Sequence, residues 1–496
     1  MKKPNIVYFV ADQMRSDSLH HLGCEASITP NLDHLAQIGV SFKNAYCQNP
    51  VCVPSRCSFL TGLYPHTTGH RTIHYLQNEG EPNFLRTMKN NGYEVIWIGR
   101  NDIIPAHLVK TEFCDHYYNG FFEGDSKEYI SQNRPQPHAT KNNDTPPQND
   151  ISKPGYYAHF RGKISEEQAH QKGSDWHLID AALNYIDKKS KDPSQKPFFL
   201  YITLGYPHPP YACEDPWFSM IDRKLCTPRR PDALSLDKPS MLKSISKKQN
   251  LQNWGDENFI EMRATYLAMV SRFDYQFGLI QNKLKETHLY DNTSIFVFSD
   301  HGDYTGDYNI AEKVQNCFED CITNVPLIIK PAEQFEVKPR ISNALVELVD
   351  LCSTVEQMCD ITPEYVHFGK SLVDCLKGNE NHHDAIFCEG GRIHNEYWAM
   401  ERGHNQDSEY WPRLDTQCSE GPEHTKAVMI RMKNYKYVYR LYEKDEFYNL
   451  ENDPLELCNE IDNPQYQSII IEMKMRMLTW FVETGDIVPN RKDPRF

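Results

Sequence analysis

The chain has 496 residues, 39% of them hydrophobic and 12% aromatic, enough to bury a large core and too apolar for a disordered polymer. A formal net charge of -15 argues against nucleic acid as a partner, because a phosphate-binding surface is usually basic. No segment approaches 18 apolar residues, and the opening apolar run from Ile6 to Ala11 stops at Asp12, too short for a signal segment, so a soluble cytoplasmic protein without a membrane partner is expected. The 15 cysteines are odd in number and lack C-x-x-C spacing, which points to reduced, mostly buried thiols rather than a disulfide framework or structural zinc.

In chain order, PNIVYFVAD (4–12) reads as a buried strand ending in an acid. TPNLDHLAQIGV (29–40) has a Thr cap and a first-turn Pro and predicts a helix; VSFKNAYC (40–47) alternates as a strand; SRCSFLTG (55–62) is a short helix stopped by Gly62. A helix over NFLRTMKNNGY (83–93) leads into the strand EVIWIG (94–99). DWHLIDAALNYIDKK (175–189) is an amphipathic helix and KPFFLYITLG (196–205) a core strand. A long helix over 258–287 precedes the strands TSIFVFSD (293–300) and VPLIIK (325–330), and NALVELVDLCSTVEQM (343–358) reads as a helix. Strand and helix in alternation predict an α/β fold, a large, mostly parallel sheet sandwiched by helices. Polar, Pro-rich insertions are expected at about 110–170 and 207–256. Near 370 the periodicity changes: three alternating runs, 427–432, 435–443 and 446–450, and a helix at 467–485 predict a smaller C-terminal α+β domain, dividing the chain at 1–370 and 371–496.

Two strands end in acids, Asp12 and Asp300, and a third ends at Gly205 just before His208; ligands of open α/β sheets bind at such carboxyl ends. Asp12, Asp300 and His301, with the amide oxygen of Gln13, suit Ca²⁺, Mg²⁺ or Mn²⁺, although any one of them alone reads equally as a cap or a satisfied loop residue. Cys52 stands at a helix start with Arg56 four residues on, a field expected to lower the thiol pKa and make it a nucleophile; Cys57 reads as core.

Cys52-Val53-Pro54-Ser55-Arg56 with Thr61-Gly62 resembles the C-x-P-S-R motif of the type I sulfatases, in the alkaline-phosphatase-like superfamily. The similarity extends over PNIVYFVADQMRSD (4–17), YPHTTGH (64–70), PHPP (207–210), FSDHGDYTGDYNIAEK (298–313) and YEKDEFYNLENDPLELCN (442–459). The resemblance implies a sulfuric ester hydrolase in which a formylglycine-generating or anaerobic sulfatase-maturating enzyme oxidises Cys52 to formylglycine. One hydroxyl of its hydrate attacks the sulfur of a small-molecule or oligosaccharide sulfate, and loss of the proton from the other releases inorganic sulfate. By position it implies Asp12, Gln13, Asp300, His301 and formylglycine 52 as ligands of Ca²⁺. Many members carry Asp where Gln13 stands and some Asn where His301 stands, a less negative shell that also suits Mn²⁺ or Mg²⁺. Arg56 would hold the formylglycine and balance charge, Lys313 would grip the sulfate, and His208 would be the acid for the leaving oxygen.

One departure is plain: many sulfatases have Gly-Lys-Trp-His where this chain has Gly99-Arg100-Asn101-Asp102. Arg100 would serve as the sulfate clamp, and Asp102 would bind a substrate hydroxyl or pair with Arg100. His70 is a further substrate-binding candidate beyond the nucleophile helix, while His21, His66 and the run 395–398 read as structural or as pocket rim. The alternative activity is a phosphonate monoester or phosphodiester hydrolase with the same catalyst; an inactive anion-binding relative is disfavoured because Cys52, Arg56, Asp300, His301 and Lys313 are all present.

Overall fold

The computed structural model describes residues 3–120, 123–124, 160–192, 194, 196–252, 254–402, 410–489 and 494–495. The polar run over 125–159, within the first expected insertion, lies outside the described residues. The strands are β1 (Asn5–Asp12), β2 (Val40–Tyr46), β3 (Glu94–Gly99), β4 (His116–Tyr118), β5 (Glu123–Gly124), β6 (Phe160–Lys163), β7 (Phe198–Pro207), β8 (Tyr211–Cys213), β9 (Thr293–Ser299), β10 (Asn324–Val325), β11 (Leu327–Lys330), β12 (Arg340–Glu347), β13 (Ile386–Gly390), β14 (Ala427–Arg431), β15 (Tyr435–Arg440) and β16 (Glu446–Asn449).

Ten strands form the central sheet in the order β10-β2-β11-β9-β1-β7-β3-β4-β5, with β12 added on β2. β9, β1, β7, β3 and β4 run parallel, whereas β11 enters antiparallel to both β9 and β2. The middle strands are apolar throughout because both faces are covered. Ile6, Tyr8 and Val10 of β1 face one layer, with Phe59, Met88 and Val355 from helices Cys52–Thr61, Phe84–Asn90 and Asp350–Cys359. Val7, Phe9 and Ala11 face the other, with Leu35, Ile179 and Phe273 from helices Pro30–Ile38, Asp175–Ser190 and Asp256–Glu286. The mixed α/β architecture expected from the sequence is therefore present.

A second, antiparallel sheet, β13-β14-β15-β16, carries the helix Gln467–Thr484, whose Trp480 stacks on Phe387 at 4.4 Å between ring centroids. β13 adds a fourth strand to the three that the alternating runs suggest.

Two expectations need correction. Residues 343–358 are not one helix: β12 runs to Glu347 and the helix starts at Asp350. Ala344 and Val346 face one core cluster and Leu345 another, a period of two hidden inside a continuous apolar run. The stretch 207–256 is more than loop, since it holds β8 and the helix Ser240–Gln249, whose Met241, Leu242 and Ile245 are buried. All 15 cysteines are free, and all but Cys24, Cys418 and Cys458 are buried. Among the described residues no helix is long and apolar enough to cross a membrane.

Candidate active site

Four neighbouring parallel strands, β3, β7, β1 and β9, deliver their carboxyl ends to one place. Arg100 follows β3, His208 follows β7, Asp12 ends β1, and Asp300 and His301 follow β9. Gly99 makes the first of these exits: at φ 117°, a Cβ there would lie 2.0 Å from the Thr203 carbonyl of β7, so a larger residue would push the two strands apart. The helix Cys52–Thr61 points its first turn at the same spot, fastened by a hydrogen bond from Ser55 Oγ to the Asp300 carbonyl (2.6 Å) and stopped by Gly62 at φ 67°.

Cys52 Sγ lies 3.2 Å from His301 Nε2 and 3.6 Å from Asp12 Oδ1, and His301 Nε2 is 3.7 Å from Oδ1 of both Asp12 and Asp300. One atom from each of these four buried residues lies within 4.8 Å of the others. Arg56, fully buried, spans the carboxylates: Nε donates to Asp300 Oδ2 and Nη2 to Asp12 Oδ2, both at 2.9 Å, and Nη1 is 3.4 Å from Asp102. Arg100 adds a contact to Asp12 Oδ2 at 3.2 Å. Lys313 Nζ donates to Gln13 Oε1 and to His208 Nε2, each at 2.8 Å. The N–H of Gln13 donates to Asp300 Oδ1 (3.0 Å).

The partners fix the imidazole tautomers. His301 Nδ1 faces the Gly302 carbonyl and must carry the proton, so the Nε2 lone pair looks into the cluster. His208 Nδ1 faces the Pro209 carbonyl and Nε2 accepts from Lys313, so this ring is neutral. Burial and the Lys313 charge hold His208 well below the ordinary imidazole value. Burial by itself would lower Lys313, but Cys52, Glu312 and Asp12 raise it above the usual lysine range. Asp12 would be raised by burial; the cations Arg56, Arg100 and Lys313 outweigh it and keep the carboxyl far below its normal range. The expected low thiol pKa of Cys52 is not found. Burial, then Asp12, push it well above the ordinary cysteine value, and Arg56 is committed to carboxylates rather than to sulfur.

The cluster fits a divalent cation: two carboxylates, an imidazole lone pair and the residue-52 side chain converge in a buried spot, with the carboxylates oriented by Arg56 and backbone N–H groups. A model of the sulfatase family matches residues 4–361. The chain belongs to the sulfatase family. Its enzyme class is that of the sulfuric ester hydrolases. Over 522 aligned residues, 98% of this chain and 96% of the relative, it is 27% identical to the multifunctional alkaline phosphatase superfamily protein PehA of Trinickia caryophylli. It is 25% identical to the choline-sulfatase of Rhizobium meliloti (strain 1021), covering 99% of this chain and 90% of that one. The phosphonate monoester hydrolase of Agrobacterium radiobacter shares the fold, with a TM-score of 0.73, 20% identity, and coverage of 99% and 100% of the two chains.

In this sulfatase-family chain the structure brings Asp12, Gln13, Cys52, Arg56, Arg100, Asp102, His208, Asp300, His301 and Lys313 together. Asp102 makes its ion pair with Arg56, not Arg100. His70 is not brought there: its ring is buried, Nδ1 faces the Tyr75 carbonyl and Nε2 faces Glu81, both at 2.8 Å, so its own loop uses both nitrogens. Sequence reasoning missed a supporting layer. Asp303 accepts from Gln13 Nε2 (2.5 Å) and from Tyr211 OH (2.7 Å). Glu312 lies 3.3 Å from Lys313 and 3.8 Å from Arg413 of the helix Trp411–Gln417. Asp303 sits in the same SDHGD run as Asp300, a signal that was available; Arg413, a hundred residues downstream of Lys313, had none. Beside the cluster opens a cavity of about 460 Å³, with Arg100 and His208 in its wall and Arg161, Asn119, Gln168 and Ser174 further along it.

Proposed function

We propose that this enzyme hydrolyses the sulfate ester of a carbohydrate, with residue 52 as nucleophile after a maturation enzyme has oxidised Cys52 to formylglycine. The observation that carries the reading is the buried meeting of Cys52 with Asp12, Asp300 and His301 beneath Arg56. As a formylglycine hydrate, residue 52 offers one hydroxyl to attack sulfur and a second whose deprotonation re-forms the aldehyde and frees inorganic sulfate. Asp12, Asp300, His301 and residue 52, with Gln13 Oε1 exchanging its Lys313 partner, would hold Ca²⁺, with Mn²⁺ or Mg²⁺ as alternatives. A cation held there supplies charge that polarises the sulfate and acidifies the attacking hydroxyl.

The chain's own residues divide the remaining work. Arg56 keeps two buried carboxylates turned to the cluster. Lys313 and Arg100 meet the sulfate oxygens from two sides, one rigid and hydrogen-bonded, the other nearer solvent. The Lys313–His208 pair shares a proton along its 2.8 Å contact and passes it to the departing alcohol oxygen. Asp102 positions Arg56 and faces the substrate.

The cavity wall mixes polar and apolar side chains, and its polar members favour a hydroxylated substrate. Its Arg and amide groups suit sugar hydroxyls, and the ring of Tyr206, which a quaternary ammonium would seek, is already covered by Arg272 at 3.8 Å. Phosphonate monoesters and phosphodiesters are the second reading, because the chain shares its fold with a phosphonate monoester hydrolase. The test is Cys52→Ala in a preparation whose wild-type peptide carries formylglycine by mass spectrometry. Loss of turnover is expected; comparable turnover would remove residue 52 from the mechanism.

A further inference from the structure

We propose that Asp350, His382 and His383 form a second divalent-cation site of the zinc class, completed by water, that shares no residue with the active site. Asp350 opens the helix Asp350–Cys359 and is fully buried. His383 Nε2 lies 3.0 Å from both of its carboxylate oxygens, and His382 Nε2 lies 3.1 Å from Oδ2. The two rings, successive in sequence, are 4.4 Å apart and steeply inclined, so the same nitrogen of each is turned to one oxygen. Glu347 Oε2, from the last residue of β12, is 3.9 Å from His383 Nε2.

Two imidazole nitrogens and a carboxylate, with water in the fourth position, are a donor set suited to zinc. Metal–ligand bonds of about 2.0–2.1 Å in a tetrahedron place neighbouring donors about 3.3 Å apart. The observed contacts of 3.0 and 3.1 Å need to open by only a few tenths of an ångström. The carboxylate is already aimed. Asp350 accepts from the N–H of Glu347 (2.9 Å) and of Lys370 (2.8 Å). Such outer contacts orient metal ligands and leave lone pairs for the ion. A cavity of about 560 Å³, with both histidines in its wall, gives entry and room for water.

Bound here, an ion would tie the segment entering β13, and with it the C-terminal sheet, to the junction between β12 and its following helix. Its effect is on stability rather than on turnover.

The probe is Zn²⁺ added to the matured, full-length enzyme already loaded with Ca²⁺. The wild type should bind one more Zn²⁺ per chain than the His382→Ala/His383→Ala variant and unfold at a higher temperature when Zn²⁺ is present. The variant should lose both effects and keep its sulfate-ester turnover. Equal Zn²⁺ uptake by the two proteins overturns the proposal. Should the double variant fail to fold, wild-type crystals soaked in Zn²⁺ and measured on either side of the zinc edge decide it: a peak within bonding distance of both Nε2 atoms supports the site, and none there overturns it.

Discussion

Removing Arg56 should be costly in a way that follows from its contacts. Its side chain is fully buried and makes two charge-assisted hydrogen bonds of 2.9 Å to Asp12 and Asp300, which are themselves fully buried. Each such bond is worth about 1.5–3 kcal/mol. Breaking a buried pair by deleting one partner costs about 3–5 kcal/mol, because an uncompensated charge stays behind. Arg56→Ala is therefore expected to lose about 3–5 kcal/mol in chemical denaturation, and more in chelator, where no cation shares the carboxylate charge. Arg56→Lys keeps the charge but not the fork and is expected to lose about 1.5–3 kcal/mol, the equivalent of one of the two bonds. Unfolding midpoints of the three proteins, with Ca²⁺ and with EDTA, read this directly. If Arg56→Ala falls within about 0.5 kcal/mol of wild type, as an ordinary surface substitution would, the carboxylate-clamp reasoning is wrong.

Lys313→Ala should lower kcat/KM by about 2–4 kcal/mol, and an unchanged kcat/KM would remove it from the sulfate site. Chelation should abolish turnover and lower the unfolding temperature, and the drop should shrink in His301→Ala, which has already lost an imidazole ligand; an equal drop in both proteins would speak against that ligand. Burial lowers Lys330 from 10.5 to about 8, so between those values the unfolded chain keeps a proton that the native lysine has released. Lys330, and Lys110 lowered in the same way to about 8, should each contribute stability that rises with pH across that window, against the buried thiols whose raised values act in the opposite sense, so wild type should gain stability relative to Lys330→Met as the pH goes up. The same pH dependence in Lys330→Met as in wild type would show that its ammonium is not desolvated as the fold implies.

Much of this was legible in the sequence because the chemistry lies at strand ends. The run up to Asp12, and the one up to Asp300 and His301, are long, apolar and β-branched, so the strands and their terminal acids were visible together. Cys52 and Arg56 were visible because one helix turn spaces them. What failed did so for physical reasons. Residues 344–346 alternate between two buried faces, and with apolar side chains on both the period of two disappears into a helix-like run. His70 lies near the nucleophile helix in sequence, yet Glu81 claims it. A helix start and an arginine suggested an acidic thiol, but local spacing could not report the carboxylates that β1 and β9 bring alongside. The antiparallel entry of β11 and the reach of Arg413 depend on chain paths that no local pattern encodes.

The most direct test of the central claim uses enzyme shown by mass spectrometry to carry formylglycine at residue 52. On that sample, kcat/KM is measured for matched aryl esters of sulfate, phosphate diester and phosphonate. A clear preference for the sulfate ester is expected, with inorganic sulfate released. A preference for the phosphorus esters would contradict it and make Arg100 and Asp102 the first residues to exchange.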